Sequence, residues 1–433
     1  MKRLFLILIF LGFALAAAAQ TGTWSGKLDV QGMSLTLVFH LDEAGCTIDS
    51  PDQGVKGIPA QASHEEMGKL VIRVPSIGAS YEGFLLAGKL VGTFNQNGGS
   101  FPLTLTPGEP KLNRPQTPVG PFPYTTEEVS FTNGDAVLKG TLTLPEGYSR
   151  NTPVLIMVTG SGLQDRDEEL FDHKPFAVIA DALGRAGFAT LRYDDRGFGE
   201  STGDVWPCTT EDFKNDALAG LQLLRSRFDH VGVLGHSEGG TIALMLAAEG
   251  RADFIVSLAG VVISGREALL LQNRHILTAA GVPEATVDAY CEAIGDAFSA
   301  VIAGLTPPDA DSLDLPEGLK QNYQALLKQC ALPWMRYILA LDMRAKLKEI
   351  TCPVLALNGT KDTQVDAGKN LSALRGGLPD NGANRILAIE GVNHLFQHCL
   401  TGELAEYREI EETFAPEAIA AVISWLKELR YNP

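Results

Sequence analysis

Basic residues are scarce in this chain: 35 Lys and Arg stand against 52 Asp and Glu, a formal charge of −17 over 433 residues. No block of consecutive basic residues occurs after the first three positions. Such a surface repels phosphate backbones, which excludes nucleic acid as a partner and disfavours strongly anionic substrates. Cysteine is also sparse, and none of Cys46, Cys208, Cys291, Cys330, Cys352 and Cys399 falls in a Cys-x-x-Cys spacing, so zinc ligation has no support. Mostly buried thiols, with room for one bridge, are the expectation. The longest apolar run, Leu4 to Ala19, falls short of the roughly 20 residues a membrane span needs. Preceded by Lys2 and Arg3 and closed by Ala16-Ala17-Ala18-Ala19-Gln20, it reads as a cleaved export signal over residues 1–20. The mature protein is therefore expected in the periplasm or outside the cell, without a stable membrane span. No Cys follows the run, so lipid attachment there is not supported.

The length exceeds what one core usually organises, so two domains are expected. Over residues 21–107 the pattern has a period of two: Met33, Leu35, Leu37, Phe39 and Leu41 interleave with Ser34, Thr36, Val38 and His40. Leu70 to Val74, Lys89 to Phe94 and Phe101 to Leu105 are further short segments set off by Gly, Asn and Pro, and no helix-period stretch separates them. That predicts a small antiparallel β domain. Its opening, Thr23-Trp24-Ser25-Gly26, resembles the start of lipocalin-like modules. Pro107, Pro110, Pro115, Pro118, Pro121 and Pro123 then crowd one stretch, where fixed φ and missing amides favour an extended spacer over residues 108–123.

From residue 124 to 433 the texture changes. Val129 to Leu144 predicts a hairpin turning at Asn133-Gly134. Apolar strands at Val154 to Val158, Ala189 to Tyr193, Val231 to Leu234, Phe254 to Leu258, Val354 to Leu357 and Ile386 to Ile389 then alternate with amphipathic helices such as Phe176 to Arg185 and Glu211 to Arg227. This rhythm predicts a mainly parallel sheet with helices on both faces. About 265–348 is helix-like and broken by Pro307-Pro308. An insertion there leaves the sheet at its C-terminal edge, where ligands bind, and makes a helical cap.

Gly235-His236-Ser237-Glu238-Gly239-Gly240 sits between an apolar strand and a helical run, the context that a Gly-x-Ser-x-Gly turn requires. Ser237 falls at a helix N-terminus, whose dipole favours developing negative charge. A serine hydroxyl needs a base, and only His394 and His398 lie downstream. His394 directly follows the last strand; His398 reads as a surface or satisfied histidine, and His236 as pointing elsewhere. Asp362 sits in the turn leaving the strand Val354 to Leu357 and is placed to hold the imidazole tautomer, ahead of Asp366 and Glu390.

The order Ser237, Asp362, His394 on a parallel sheet resembles the α/β-hydrolase superfamily, over about Tyr124 to the C-terminus. Gly160-Ser161-Gly162-Leu163-Gln164-Asp165-Arg166-Asp167 and Asp195-Arg196-Gly197-Phe198-Gly199-Glu200-Ser201 are similar to the serine aminopeptidase-like group, particularly its bacterial acyl-esterase branch. The resemblance implies an oxyanion hole built from the backbone N–H groups of Glu238 and Ser161, with Gly162 as the alternative to Ser161. Asp165, Arg166 and Asp167 read as a charge-paired loop that fixes local structure, with substrate recognition as the other reading. It further implies a serine esterase with a small-molecule or glycan-linked acyl ester as substrate and no metal or organic cofactor. Two rivals stay open: a peptidase on the same scaffold, for which the cap acids Asp309, Asp311 and Asp314 are candidate amine anchors, and a polymer- or glycan-binding protein whose hydrolase domain is silent. Oligomeric state is not legible.

Overall fold

The computed structural model describes residues 21–429, apart from residues 31, 32, 43, 44, 54, 66, 67, 97, 110 and 111. The export signal expected over residues 1–20 lies outside the described residues. The chain divides into two compact units, residues 1–113 and 114–433.

The first unit is a closed barrel of eight antiparallel strands: β1 (Gly22–Val30), β2 (Met33–Leu41), β3 (Cys46–Ser50), β4 (Val55–His64), β5 (Lys69–Val74), β6 (Ala79–Leu86), β7 (Lys89–Gln96) and β8 (Gly99–Pro107). Closure comes from β1 against β8, with Trp24 opposite Pro107 and Ser25 opposite Thr106. It abolishes the exposed edges an open sheet would leave for pairing with other chains. The expected alternation holds on β2, where Leu37, Phe39 and Leu41 enter the interior with Trp24, Ile48, Leu70, Ile72, Tyr81 and Phe94.

The second unit carries an eight-stranded sheet. A hairpin, β9 (Tyr124–Asn133) and β10 (Ala136–Pro145), forms one edge. β10 pairs antiparallel with β12 (Ala189–Tyr193); the rest is parallel, through β11 (Val154–Val158), β13 (Val231–His236), β14 (Ile255–Leu258), β15 (Val354–Gly359) and β16 (Arg385–Ile389). The order across the sheet is β16-β15-β14-β13-β11-β12-β10-β9. Strands buried on both faces need apolar residues at successive positions, and β11 shows why: Ile156 and Val158 face one helical layer, Leu155 and Met157 the other. The first layer contains α2 (Thr210–Arg225), α3 (Glu238–Ala248) and α8 (Ala367–Gly377); the second contains α1 (Pro175–Arg185) and α9 (Pro416–Glu428).

Between β14 and β15 the chain forms four helices, α4 (Gly265–Ala279), α5 (Glu284–Ile302), α6 (Glu317–Cys330) and α7 (Pro333–Ala340), around a core of their own that includes Phe298, Ile294, Tyr323 and Leu339. This is the cap expected at 265–348. All six cysteines are free thiols. The spacer also differs from expectation at Arg114 and Gln116. The Arg114 guanidinium donates to the carbonyls of Phe171, Arg408 and Ile410, and Gln116 exchanges hydrogen bonds with the backbone of Thr413 and Phe414. Side chains between the prolines thus fasten this stretch to the second unit.

Candidate active site

Every loop that leaves the C-terminal end of β11, β13, β14, β15 or β16 can contribute to one rim, because parallel strands end on the same side. On β13 the chain turns through Ser237 into α3 with φ 52° and ψ −116°, a region that L side chains rarely enter. The turn is closed tightly enough that a Cβ at Gly235 would fall inside the Gly239 carbonyl, and one at Gly239 inside the Val158 carbonyl. Both glycines are therefore required by close backbone approach, as the Gly-x-Ser-x-Gly spacing predicts. The Ser237 amide donates to Leu258 at the end of β14 (2.8 Å), which anchors the elbow on the neighbouring strand.

Asp362 lies in the turn after β15 and His394 in the loop after β16. The Asp362 carboxylate, fully buried, accepts from His394 Nδ1 at 2.8 Å through Oδ2, and its Oδ1 accepts from the amides of Gln364 and Val365 at 2.9 Å. With Nδ1–H held on the carboxylate, Nε2 is the free nitrogen of a neutral imidazole, as a general base needs. The two loops are tied directly by the amides of Thr360 and Lys361, which donate to the carbonyls of Ile389 and Val392. Asp366 instead caps α8 by accepting from the Lys369 amide, and Glu390 is exposed. His398 is half-exposed between Glu412 and Glu417, 2.8 Å from each, which settles it as a surface ion pair.

Ser161, Ser237, Glu238 and His394 line a single cavity of about 370 Å³, with Val261, Ile263, Leu269, Ile338 and Leu341 among its apolar wall. No hydrogen bond joins the Ser237 hydroxyl to the imidazole among the described residues; such links are often long without substrate and tighten in the Michaelis complex. The amides of Ser161 and Glu238 are without hydrogen-bond partners among the described residues, and Ser161 lines the cavity while Gly162 does not. The Gly160 amide is spent on the Glu168 carboxylate at 2.8 Å.

The loop from Gly160 to Asp167 is fixed by buried charge. Arg166 holds Asp194 through Nε and Nη2 (3.0 and 2.8 Å), and also bonds Glu128 and Glu200. Asp167 pairs with Arg192. Asp195 accepts from the Thr159 hydroxyl and the Gln164 amide, while Arg196 grips Asp216. Asp165, Arg166 and Asp167 are outside the cavity lining. Burial pushes the Asp195 carboxyl up to about 8, against those hydrogen bonds. Burial likewise raises the Glu238 carboxyl above its ordinary value, although the Thr210 hydroxyl and the indole of Trp334 on the cap donate to it and pull it back. A carboxyl held towards its neutral form beside the Glu238 amide opposes an oxyanion less than an ionised one would.

Two residues escaped the sequence reading. His236 is only 5% exposed, with Nδ1 against Glu168 (2.9 Å) and Nε2 against the His394 carbonyl (2.9 Å). It does point elsewhere than the serine hydroxyl, yet into the heart of the site. Burial alone would lower its pKa; the Glu168 carboxylate and the His394 carbonyl outweigh that and raise it. Glu168, buried at φ 55°, carries no spacing signal that separates it from the surface acids around it.

A serine elbow, a carboxylate-held histidine and a capped parallel sheet define a hydrolase of the α/β type. The chain belongs to the alpha/beta hydrolase family, whose model matches residues 155–406. Over 140 residues it is 36% identical to the esterase EstD of Thermotoga maritima; that stretch is 32% of this chain and spans about a third (33%) of the relative's length. Among solved structures it is similar to a proline iminopeptidase of Mycobacterium smegmatis (TM-score 0.45, 18% identity, 70% of this chain and 98% of that one). It is also similar to an esterase of Pyrococcus furiosus (TM-score 0.42, 16% identity, 74% and 98%).

Proposed function

We propose that this hydrolase cleaves carboxylic esters through a Ser-His-Asp triad. Ser237 attacks the ester carbonyl while His394 Nε2 takes its proton, and the Asp362 carboxylate on Nδ1 stabilises the imidazolium that forms. The resulting oxyanion is received by the N–H groups of Ser161 and Glu238. Collapse expels the alcohol, protonated by the same histidine, and leaves an acyl-enzyme. Water, deprotonated by His394, then releases the acid and restores the serine. No step needs a metal or organic cofactor. The single observation that carries this reading is the 2.8 Å bond from His394 to the buried Asp362, with the histidine and the strained serine on the wall of one cavity.

An ester is favoured over a peptide by what lines that cavity. Asp309, Asp311 and Asp314 are not part of its wall, and the two acids that are, Glu168 and Glu238, already accept from protein donors. The apolar wall fits an uncharged acyl or alcohol group, and its size lies within the range usual for small-molecule sites, roughly 300–1,000 Å³. The basic pair and apolar run at Lys2 to Ala19 support a reading of export to the periplasm or out of the cell. The test is a panel of p-nitrophenyl acyl esters beside an aminoacyl anilide, with Ser237→Ala as control. Ester turnover abolished by the substitution is expected; preferential cleavage of the anilide would select the peptidase reading. Binding of a glycan polymer with no turnover of any ester would select the silent-domain reading.

A further inference from the structure

We infer that Glu168 and His236 are positioning residues that hold the oxyanion loop, the nucleophile turn and the loop of the catalytic histidine in one register. The inference deepens the reading of Ser237 and His394 given above and rests on it. Three loops from three different strands must keep their relative positions while charge moves from serine to carbonyl oxygen. Each takes part in a single chain of hydrogen bonds. The Gly160 amide, one residue before Ser161, donates to Glu168 Oε1 at 2.8 Å. His236, one residue before Ser237, meets the same oxygen through Nδ1 at 2.9 Å. Its Nε2 meets the backbone carbonyl of His394 at 2.9 Å. Ser161 is thus held through the amide of its neighbour, Ser237 through the side chain of its neighbour, and His394 at its own carbonyl.

Both ring nitrogens of His236 face acceptors, so both carry protons, and the buried imidazolium and the Glu168 carboxylate neutralise each other. A buried pair is costly to assemble, and an apolar pair of similar volume is often as stable or more so. Retaining it therefore calls for a role other than stability. The local backbone points the same way. Glu168 and Ser237, both non-glycine, are held at φ 55° and 52°, and Gly160 packs closely on the elbow, since a Cβ there would meet the Ser237 Cβ at a tight 3.2 Å. Strained conformations of this kind persist where surrounding contacts over-determine them. The ring of His236 also lies 4.8 Å from that of His394, centroid to centroid, so a shift of one displaces the other.

None of the three bonds involves the nucleophile's hydroxyl, the Nε2 of His394 or the amides free to receive an oxyanion. Glu168 and His236 accordingly act through geometry, and their loss should appear in kcat. The test compares Glu168→Leu, His236→Phe, the double variant and Glu168→Gln with wild type, reading thermal midpoint, kcat and KM on a p-nitrophenyl ester. Each of the first two leaves a buried charge unpaired and is expected to lower the midpoint. The double variant removes both charges and recovers part of the midpoint, the Gly160 amide and the His394 carbonyl being left without these partners, and leaves kcat about 10²-fold down with KM nearly unchanged, the cost of a loop displaced by about 1 Å. Glu168→Gln keeps one oxygen able to accept from both the Gly160 amide and His236 Nδ1 and gives up only the charge, so its kcat is expected to stay near wild type, well above that of Glu168→Leu.

A double variant that folds and keeps wild-type kcat would show a merely structural pair and overturn the inference. If the double variant does not fold, Glu168→Leu read beside Glu168→Gln decides: full kcat in Glu168→Leu overturns the inference, and a kcat reduced at unchanged KM in Glu168→Leu but recovered in Glu168→Gln supports it. Ser237→Ala is measured alongside. Turnover surviving there would sink the triad and this inference with it; an inactive Ser237→Ala beside a fully active double variant would sink this inference alone.

Discussion

At the scale of single residues, the account turns on which proton sits where. Asp362 holds the His394 tautomer, so Asp362→Asn, which can present an N–H to Nδ1 and favour the other tautomer, should lower kcat about 10⁴-fold with little change in fold, read by steady-state turnover beside circular dichroism. A second histidine tests burial. His173, 1% exposed, is lowered to about 4, by burial first and by the nearby Arg114 cation second. Unfolded, it protonates near the ordinary value of about 6.5, so as pH falls from there the unfolded chain takes up a proton the folded one refuses. Stability is therefore expected to fall by about 3 kcal/mol between pH 6.5 and 4 and to level off below, a slope that His173→Gln should remove in denaturant titrations. The serine, histidine and aspartate were legible because each falls just after an apolar strand in a recognisable turn. Glu168 and His236 were not, because a buried carboxylate within a run of acids is written like a solvated one, and its partner lies 68 positions away.

Among elements, the central strands of the parallel sheet were readable to within a residue or two because double burial forces short, continuous apolar runs; the edge strand β16 is mostly exposed and was readable from its apolar residues alone. Among the barrel strands not singled out in the sequence, three escaped for a physical reason. β4 is exposed or half-exposed at every position and so lacks alternation, while β3 and β6 mix Cys46, Ser50, Ser80, Glu82 and Gly83 among their apolar residues. The cap's helical character was visible, but not its contact with the site through Trp334 and Glu238, which depends on how α7 docks. The cap has its own core, and Phe298 within it is fully buried. Phe298→Ala should destabilise the cap by about 3–5 kcal/mol, seen as faster proteolysis within 265–348 and altered selectivity between short and long acyl esters. Labelling of Ser237 by a fluorophosphonate should persist, since the elbow is anchored on β14 and not on the cap.

The whole molecule consists of two units with separate cores, so calorimetry should resolve two unfolding transitions. A chain beginning at Arg114 should keep its ester turnover, because every residue assigned a catalytic role lies in the second unit; its loss would give the barrel a part in catalysis. Barrel closure was not legible, since it depends on Trp24 meeting Pro107 across the length of the unit and leaves no local periodicity. The net charge of −17 belongs to this scale as well, and disfavours strongly anionic substrates. The most direct test of the central claim is mass spectrometry of the protein after reaction with a fluorophosphonate. One adduct on the peptide containing Ser237, absent from Ser237→Ala and slowed in His394→Ala, is the predicted result. An unlabelled wild-type protein that still hydrolyses esters, or an adduct on another residue, would contradict it.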